Sequence, residues 1–380
     1  MDETPAKSAH VVIETPADGL CIVMHAGTRK YFRMGEREAA FLASLDGHAA
    51  AADLEQHNCS GFNPQEVRHL LAWFQTQGLT GADAGPKTGS RLAAFFSGPD
   101  KWRIHLLDPD ALLERHLGLV HALFSRPALA CYLAILLLPV AVFAGVPGLL
   151  EQAVASYAAP MTALHWIVLY LAVLAMIAIH ETAHAVTCKH FGGRVHKIGL
   201  MLLYLQPVMY CDVSDSWRFR DVEKKIAVAA AGIFVQLLVT SLALCVWAVA
   251  GWPLLLYFGV INAAIAIFNL FPLLKLDGYW MLVHALDEPN LRKKGFDAVA
   301  RALRRVVRRG RAEPIEPGLL CFGVATLMAV TLFWCLGLAA IYRYSAQLSE
   351  LLALGLATAL GALTLLRGWN FMRNLMAPAA

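Results

Sequence analysis

A chain of 380 residues that is 58% hydrophobic and only 16% charged, with a mean hydropathy of +0.54, is too apolar for an ordinary soluble protein. Its net charge of +4 is unevenly spread: residues 1–85 hold six Lys/Arg against eleven Asp/Glu, so the front carries −5 and the remainder +9. That sign excludes a phosphate-binding front end and so argues against nucleic acid as a partner.

The first residues, "MDETPAKSAH", contain no apolar core, so no cleavable signal peptide is expected. "VVIETP" and "CIVMH…KYFRM", within residues 11–34, are strand-like and joined through Asp18-Gly19. "MGEREAAFLASLDG" has helical spacing and stops at Gly47, and "AAADLEQHN" predicts a short second helix. A third begins with an Asn63 cap and Pro64 and ends at Gly78. Strands and three helices predict a small α+β, winged-helix-like cytosolic module over residues 1–85.

This segment resembles the PqqD-like family through "YFRMGEREAAFLASLDG", the following "ADL" and "VRHLLAWFQTQGLTG". The resemblance implies a module that captures the leader of a ribosomally made, modified peptide as an added strand at a sheet edge. Residues 86–126 read as a linker and amphipathic pre-membrane segment.

After Arg126 come apolar runs of the roughly 20 residues that a bilayer span needs. Six are expected, at about 127–147, 160–180, 226–250, 253–274, 317–341 and 348–366. The shorter run "KIGLMLLYLQPVMYC" (197–211), punctuated by Gly199 and Pro207, reads as a re-entrant loop, hairpin or interfacial segment. The fold class is therefore mainly α: a polytopic membrane protein with a small soluble front. Eight scattered cysteines without a CxxC pair read as small buried hydrophobes.

Basic residues mark the cytoplasmic side. Lys189, Arg194, Lys197, Arg218, Arg220, Lys224 and Lys225 follow the second span, and ten Lys/Arg from Lys275 to Arg311 follow the fourth. The loops after the first and third spans have none, and that after the fifth has Arg343 alone. This predicts an integral protein of the cytoplasmic (inner) membrane with both termini in the cytoplasm. Residues 291–316 predict a basic amphipathic cytoplasmic helix: Phe296, Val299, Ala300, Leu303, Val306 and Val307 share one face, and Arg301, Arg304, Arg305, Arg308 and Arg309 the other. Such a helix suits an anionic leaflet, or serves as a topology signal alone.

The chemistry sits at the end of the second span, in "AIHETAHAVTCKH" (178–190). His180 and His184, four apart, project from one helix face and can share one Zn²⁺, with Glu181 beside it as proton acceptor. Ionisable groups in a span are costly and usually functional. A third ligand is needed, and the candidate is Asp277 in "FNLFPLLKLDGYW" (268–280), on the same side of the membrane. Pro272 would end that helix, and Gly278 permits the turn that aims the carboxylate inward.

His180-Glu181-x-x-His184 with Asn269-x-x-Pro272…Asp277-Gly278 resembles the site-2 protease family of intramembrane zinc peptidases, over about residues 126–290. "YCDVSDSWRFR" (210–220) and "RIHLLDPDALLERH" (103–116) look like its peptide zinc metalloprotease subgroup. The resemblance implies one Zn²⁺ per chain held by His180, His184 and Asp277, with Glu181 as general base. It places the peptidase core at 127–290, followed by a two-span segment at 317–380.

Where the family often has Gly-Pro and an Asn three residues on, this chain has Gly232, Ile233 and Gln236. Gln236 and Asn269 are the candidates for holding the substrate backbone or oxyanion. His190 and His196 read as surface residues, and His284, seven after Asp277, reads as structural, with support of the metal ligands as the alternative.

The function so implied is hydrolysis of a peptide bond at the cytoplasmic side, in leader removal from a modified peptide. The substrate is a peptide or membrane protein, and the bilayer is the other partner. Alternatives are cleavage of a membrane-bound regulator, a non-catalytic peptide-binding partner in export or immunity, or a membrane di-iron oxidase, since the two histidines also read as H-x-x-x-H. The last class needs several His clusters, and one is present in the membrane region.

Overall fold

The computed structural model describes residues 4–14, 20–25, 30–47, 49, 54, 61–81, 103–158, 160–203, 206–308, 314–347, 349–351, 354–355 and 357–362. The chain is mainly helical with two small antiparallel sheets, and it divides into two units: residues 1–124 with 185–221, and residues 125–184 with 222–380.

In the first unit, β1 (Val11–Glu14), β2 (Leu20–His25) and β3 (Lys30–Gly35) form an antiparallel sheet in that order. The strand-like stretch 21–34 is thus two strands, with His25 opposite Lys30 where the chain reverses. Alternation along β2 buries Cys21 and Val23, which pack on α1 (Glu36–Ser44) and α2 (Pro64–Gln77) through Phe41, Leu42, Val67 and Phe74. Helix α2 starts with a reciprocal cap. The Glu66 N–H donates to Asn63 Oδ1 at 2.8 Å, and the Asn63 N–H to Glu66 Oε2 at 2.9 Å. It stops at Gly78, whose φ of 74° favours glycine. Of the short helix expected in "AAADLEQHN", all but Leu54 lies outside the described residues.

The second sheet is built from β4 (Arg103–Leu107), β5 (Ile198–Leu203) and β6 (Gln206–Cys211), again antiparallel in that order. The apolar run at 197–211 is therefore a β-hairpin, and β4, in a stretch expected to be linker, adds its third strand. Gly199 lets them meet: a Cβ there would lie 2.2 Å from the carbonyl oxygen of Ile104. Helices α3 (Asp110–Arg115) and α4 (Leu117–Ala122) follow β4.

Charged groups organise this region. Asp110 accepts from Lys189 Nζ at 3.0 Å and from the Val195 N–H at 3.1 Å, and Lys189 also pairs with Glu114. Burial alone would push the Asp110 carboxyl up. The Val195 N–H and the Lys189 ammonium outweigh it and hold the carboxyl below its ordinary value. Asp215, 2% exposed, accepts from the Arg194 N–H at 2.8 Å and pairs with Arg218.

The second unit comprises α5 (Arg126–Gly145), α6 (Leu149–Tyr157), α7 (Ala163–His190, whose last six residues belong to the first unit), α8 (Val222–Ala250), α9 (Pro253–Asn269), α10 (Asp277–Ala285), α11 (Leu291–Arg308) and α12 (Pro317–Ala346). Four of these, α5, α7, α8 and α12, are long and apolar enough to cross a membrane. Helix α9 is apolar but has 17 residues, ending before Pro272. The sixth expected span, 348–366, lies largely outside the described residues.

Helix α8 is the most enclosed, with α5, α9 and α10 packed on it. Trp247 of α8, 0% exposed, stacks on Phe143 of α5 and packs with Leu149 and Leu256. Leu129, Leu133 and Leu137 of α5 stay exposed, as expected of side chains that meet lipid rather than protein. The amphipathic helix α11 begins at Leu291, where the expected basic helix begins, and its described part ends at Arg308. It buries Leu291, Ala298, Val299 and Ala300, and Gly295 meets Gly323 of α12, where a Cβ would lie 2.3 Å from the Gly295 carbonyl oxygen. Its apolar face is thus partly covered by protein rather than left wholly to a leaflet.

Candidate metal centre

Helix α7 has 28 residues and rises about 42 Å, against about 30 Å of bilayer hydrocarbon. His180 and His184 stand toward its C-terminal end, one turn apart, and are 5% and 6% exposed. Glu181, half-buried, follows His180 on the same turn.

Asp277 reaches the histidines because α9 stops at Asn269 and the chain turns before restarting at Asp277 itself. Gly278 permits that turn, since a Cβ there would lie 2.0 Å from the Leu270 carbonyl oxygen. The Asp277 Oδ2 lies 3.0 Å from His180 Nε2, Oδ1 lies 3.5 Å from His184 Nε2, and the two Nε2 atoms are 3.1 Å apart. One ligand atom from each residue falls within 4.8 Å of the others, and among the described residues this is the one such cluster of three.

Each histidine is held from behind. His184 Nδ1 donates to the Val228 carbonyl of α8 at 2.6 Å. A carbonyl can only accept, so Nδ1 carries a proton, and the neutral ring in this tautomer offers its Nε2 lone pair to a metal. His180 Nδ1 lies 3.0 Å from Gln236 Oε1. Gln236 donates through Nε2 to Asn262 Oδ1 at 3.2 Å, and Asn262 Nδ2 donates to the Gln236 carbonyl at 2.9 Å and to Thr240 Oγ1 at 3.0 Å. Gly232 makes room for the His180 ring: a Cβ there would lie 2.4 Å from its Nε2 and Cε1.

The donor set fits a divalent cation. Two imidazoles and a carboxylate are the ligand types of hydrolytic zinc sites. Among the described residues, the buried Asp277 Oδ2 has no neighbour to satisfy it but His180 Nε2, 3.0 Å away. Three groups that each offer a lone pair to one point when the rings are neutral form a site that a divalent cation can fill in place of protons.

The structure thus brings His180, His184 and Asp277 together, with Glu181 alongside. Gln236, expected to hold a substrate carbonyl, is 1% exposed and has its amide committed to His180 and Asn262. Asn269 closes α9, half-buried, outside the cluster. His284 is buried, and Lys225 nearby adds to the effect of burial, pushing its pKa down to about 4. His190 is half-exposed, with Nδ1 3.0 Å from His121 Nδ1 and its ring stacked on Phe124. His196 is half-buried, so it is not the open surface residue expected.

Sequence reasoning missed Asn262, Thr240 and the Val228 carbonyl. Asn262 and Thr240 carried a signal, being polar residues in otherwise apolar helices. The backbone carbonyl carried none.

No family model matches this sequence, and no solved structure does. Two curated relatives do. "Putative peptide zinc metalloprotease protein YydH" of Bacillus subtilis (strain 168) is 29% identical over 127 residues, 32% of this chain and 50% of that protein. "Uncharacterized protein MJ0971" of Methanocaldococcus jannaschii is 33% identical over 75 residues, 20% of each chain. The chain therefore spans about half the length of the first relative and a fifth of the second.

Proposed function

We propose that this protein is an intramembrane zinc metalloendopeptidase of the site-2 protease type. The observation that carries the reading is the convergence of His180 Nε2, His184 Nε2 and the Asp277 carboxylate within 4.8 Å, buried among apolar helices and beside Glu181. The name of the Bacillus relative supports the same reading.

His180, His184 and Asp277 would hold one Zn²⁺. Bound zinc supplies a Lewis acid that brings the pKa of water down to about 7. Glu181 takes the proton of the attacking water on its carboxylate and returns it to the leaving amine nitrogen. The surrounding apolar helices limit water to what enters from the cytoplasmic end. A helical substrate must unwind at the cut, because its carbonyls are otherwise shielded by backbone hydrogen bonds.

The substrate is a ribosomally made, modified peptide whose leader is captured by residues 1–85 as a PqqD-like, winged-helix module. What supports this is β1–β3 packed on α1 and α2, and a charge of the wrong sign for nucleic acid. The protein lies in the cytoplasmic membrane with six spans, helix α9 and residues 348–366 completing the set, and with both termini in the cytoplasm. The alternation of basic loops supports that orientation.

The test is cleavage by purified protein in nanodiscs, using a precursor peptide encoded beside it, for wild type and Glu181→Gln together. Cleavage by wild type alone, with zinc in both, is the expected result. Cleavage at the wild-type rate by Glu181→Gln would remove Glu181 from its role. Absence of cleavage in both, with zinc present, would move the substrate to membrane-bound regulators.

A further inference from the structure

The two histidines are oriented by different devices. A backbone carbonyl fixes His184. His180 faces a side-chain amide, and an amide can present either its oxygen or its nitrogen. Which end faces His180 is decided further back, and the chain of partners can be followed to a group that cannot flip.

The Gln236 main-chain carbonyl, 2.9 Å from the Asn262 amide, can only accept. It therefore draws the NH₂ end of Asn262, an end that also donates to Thr240 Oγ1 at 3.0 Å. The Asn262 oxygen is then left facing the Gln236 side chain at 3.2 Å and requires a donor, so Gln236 turns its NH₂ toward Asn262. That leaves the Gln236 oxygen facing His180 Nδ1 at 3.0 Å. An oxygen there demands N–H on Nδ1, the tautomer whose Nε2 lone pair is aimed at Asp277 and His184 and is open to a metal. Gln236 and Asn262 are each 1% exposed and Thr240 6%, so water does not compete for these bonds.

Resting on the zinc reading above, we infer that Gln236, Asn262 and Thr240 form a polar relay that locks His180 in its metal-binding tautomer. Gln236 is then a positioning residue, acting through His180 rather than on the substrate. Partners of this kind, behind a ligating histidine, are typically worth about tenfold to a hundredfold in metal affinity. The relay is also an amide-only version of the usual carboxylate partner. It supplies an acceptor without adding a buried negative charge to the one Asp277 already brings.

Packing and tautomer control predict opposite orders for two variants. Gln236→Leu fills the space with an apolar side chain suited to α8 but has no acceptor. Gln236→Glu keeps an acceptor in place at the cost of a buried carboxyl group. The measurement is zinc affinity of the full-length protein in nanodiscs, by chelator competition, with Co²⁺ absorption as a report on ligand geometry. Gln236→Leu should bind zinc about tenfold or more weakly, and Gln236→Glu within about threefold of wild type.

Asn262→Leu frees the Gln236 amide to flip, so it should also weaken zinc binding. The double variant with Gln236→Leu should be no weaker than Gln236→Leu alone, because both act through one relay. Wild-type affinity in Gln236→Leu, equal losses in the Leu and Glu variants, or losses that multiply in the double variant would each overturn the relay while leaving the zinc site standing. A wild-type protein that takes up no zinc would overturn both.

Discussion

His180 Nε2 and Asp277 Oδ2 lie 3.0 Å apart, with His184 Nε2 3.5 Å from the other carboxylate oxygen. The acceptors behind each histidine call for N–H on Nδ1, the tautomer whose Nε2 lone pair is free for a cation shared with Asp277. A divalent cation between them would satisfy all three groups at once, in place of the protons that would otherwise have to bridge them. Zinc binding should therefore stabilise the fold as well as complete a site. Chelation should lower the melting temperature in nanodiscs, and zinc at a hundred times its Kd should restore about 2.7 kcal/mol. Asp277→Asn, which can donate to His180 Nε2, should lose that zinc dependence. A melting temperature indifferent to chelation in wild type would contradict the arrangement.

Gly232 of α8 meets the His180 ring with no space for a methyl group. Gly232→Ala should displace the imidazole and cut zinc affinity at least about tenfold. It should leave α8 intact, since Ala is the better helix former by about 1 kcal/mol. The check is zinc affinity beside circular dichroism. A variant with normal helicity and normal zinc affinity would mean that the ring does not sit where the structure has it.

Lys189, 6% exposed, is neutralised by Asp110 and Glu114. Removing its partners strands a buried charge, whereas removing the lysine does not. Asp110→Ala with Glu114→Ala should therefore lower the melting temperature more than Lys189→Met does. The reverse order would show that the lysine's stem, rather than its charge, is what the fold uses.

His284 gives a pH dependence. Its folded pKa of about 4 lies below the ordinary 6.5. Between those values the unfolded chain holds a proton that the folded chain lacks, so stability rises with pH across that window and falls as pH drops from 6.5 toward 4. His284→Gln should flatten the loss between pH 7 and pH 5, measured as melting temperature with chelator present. An unchanged slope would place the acid sensitivity elsewhere.

The sequence made some of this legible and hid the rest for physical reasons. His180 and His184 were readable because four-residue spacing puts two side chains on one helix face whatever surrounds them. Asp277 was readable because Pro272 and Gly278 announce a helix break beside a carboxylate. Helix α2 was readable to its ends, from Asn63 to Gly78, since caps are local chemistry.

The strand β4 was not. Its pairing with β5 joins Arg103 to Met201 across nearly a hundred residues, and no local pattern encodes such a partner. Nor was the role of Gln236, whose length and amide suggested reach toward a substrate. Its side-chain partners, His180 and Asn262, appear only when α7, α8 and α9 pack together. The cover that α12 gives to α11 was hidden likewise, because amphipathic spacing looks the same whether the apolar face meets lipid or another helix.

The most direct test of the account is X-ray absorption at the zinc edge on purified wild-type protein, with metal content measured on the same sample and on Asp277→Ala. The account predicts one zinc per chain, with two imidazole nitrogens at about 2.0–2.1 Å, oxygen in the remaining positions and no sulfur. Asp277→Ala should hold much less. Two irons per chain, sulfur ligands, or a metal content unchanged by Asp277→Ala would contradict it.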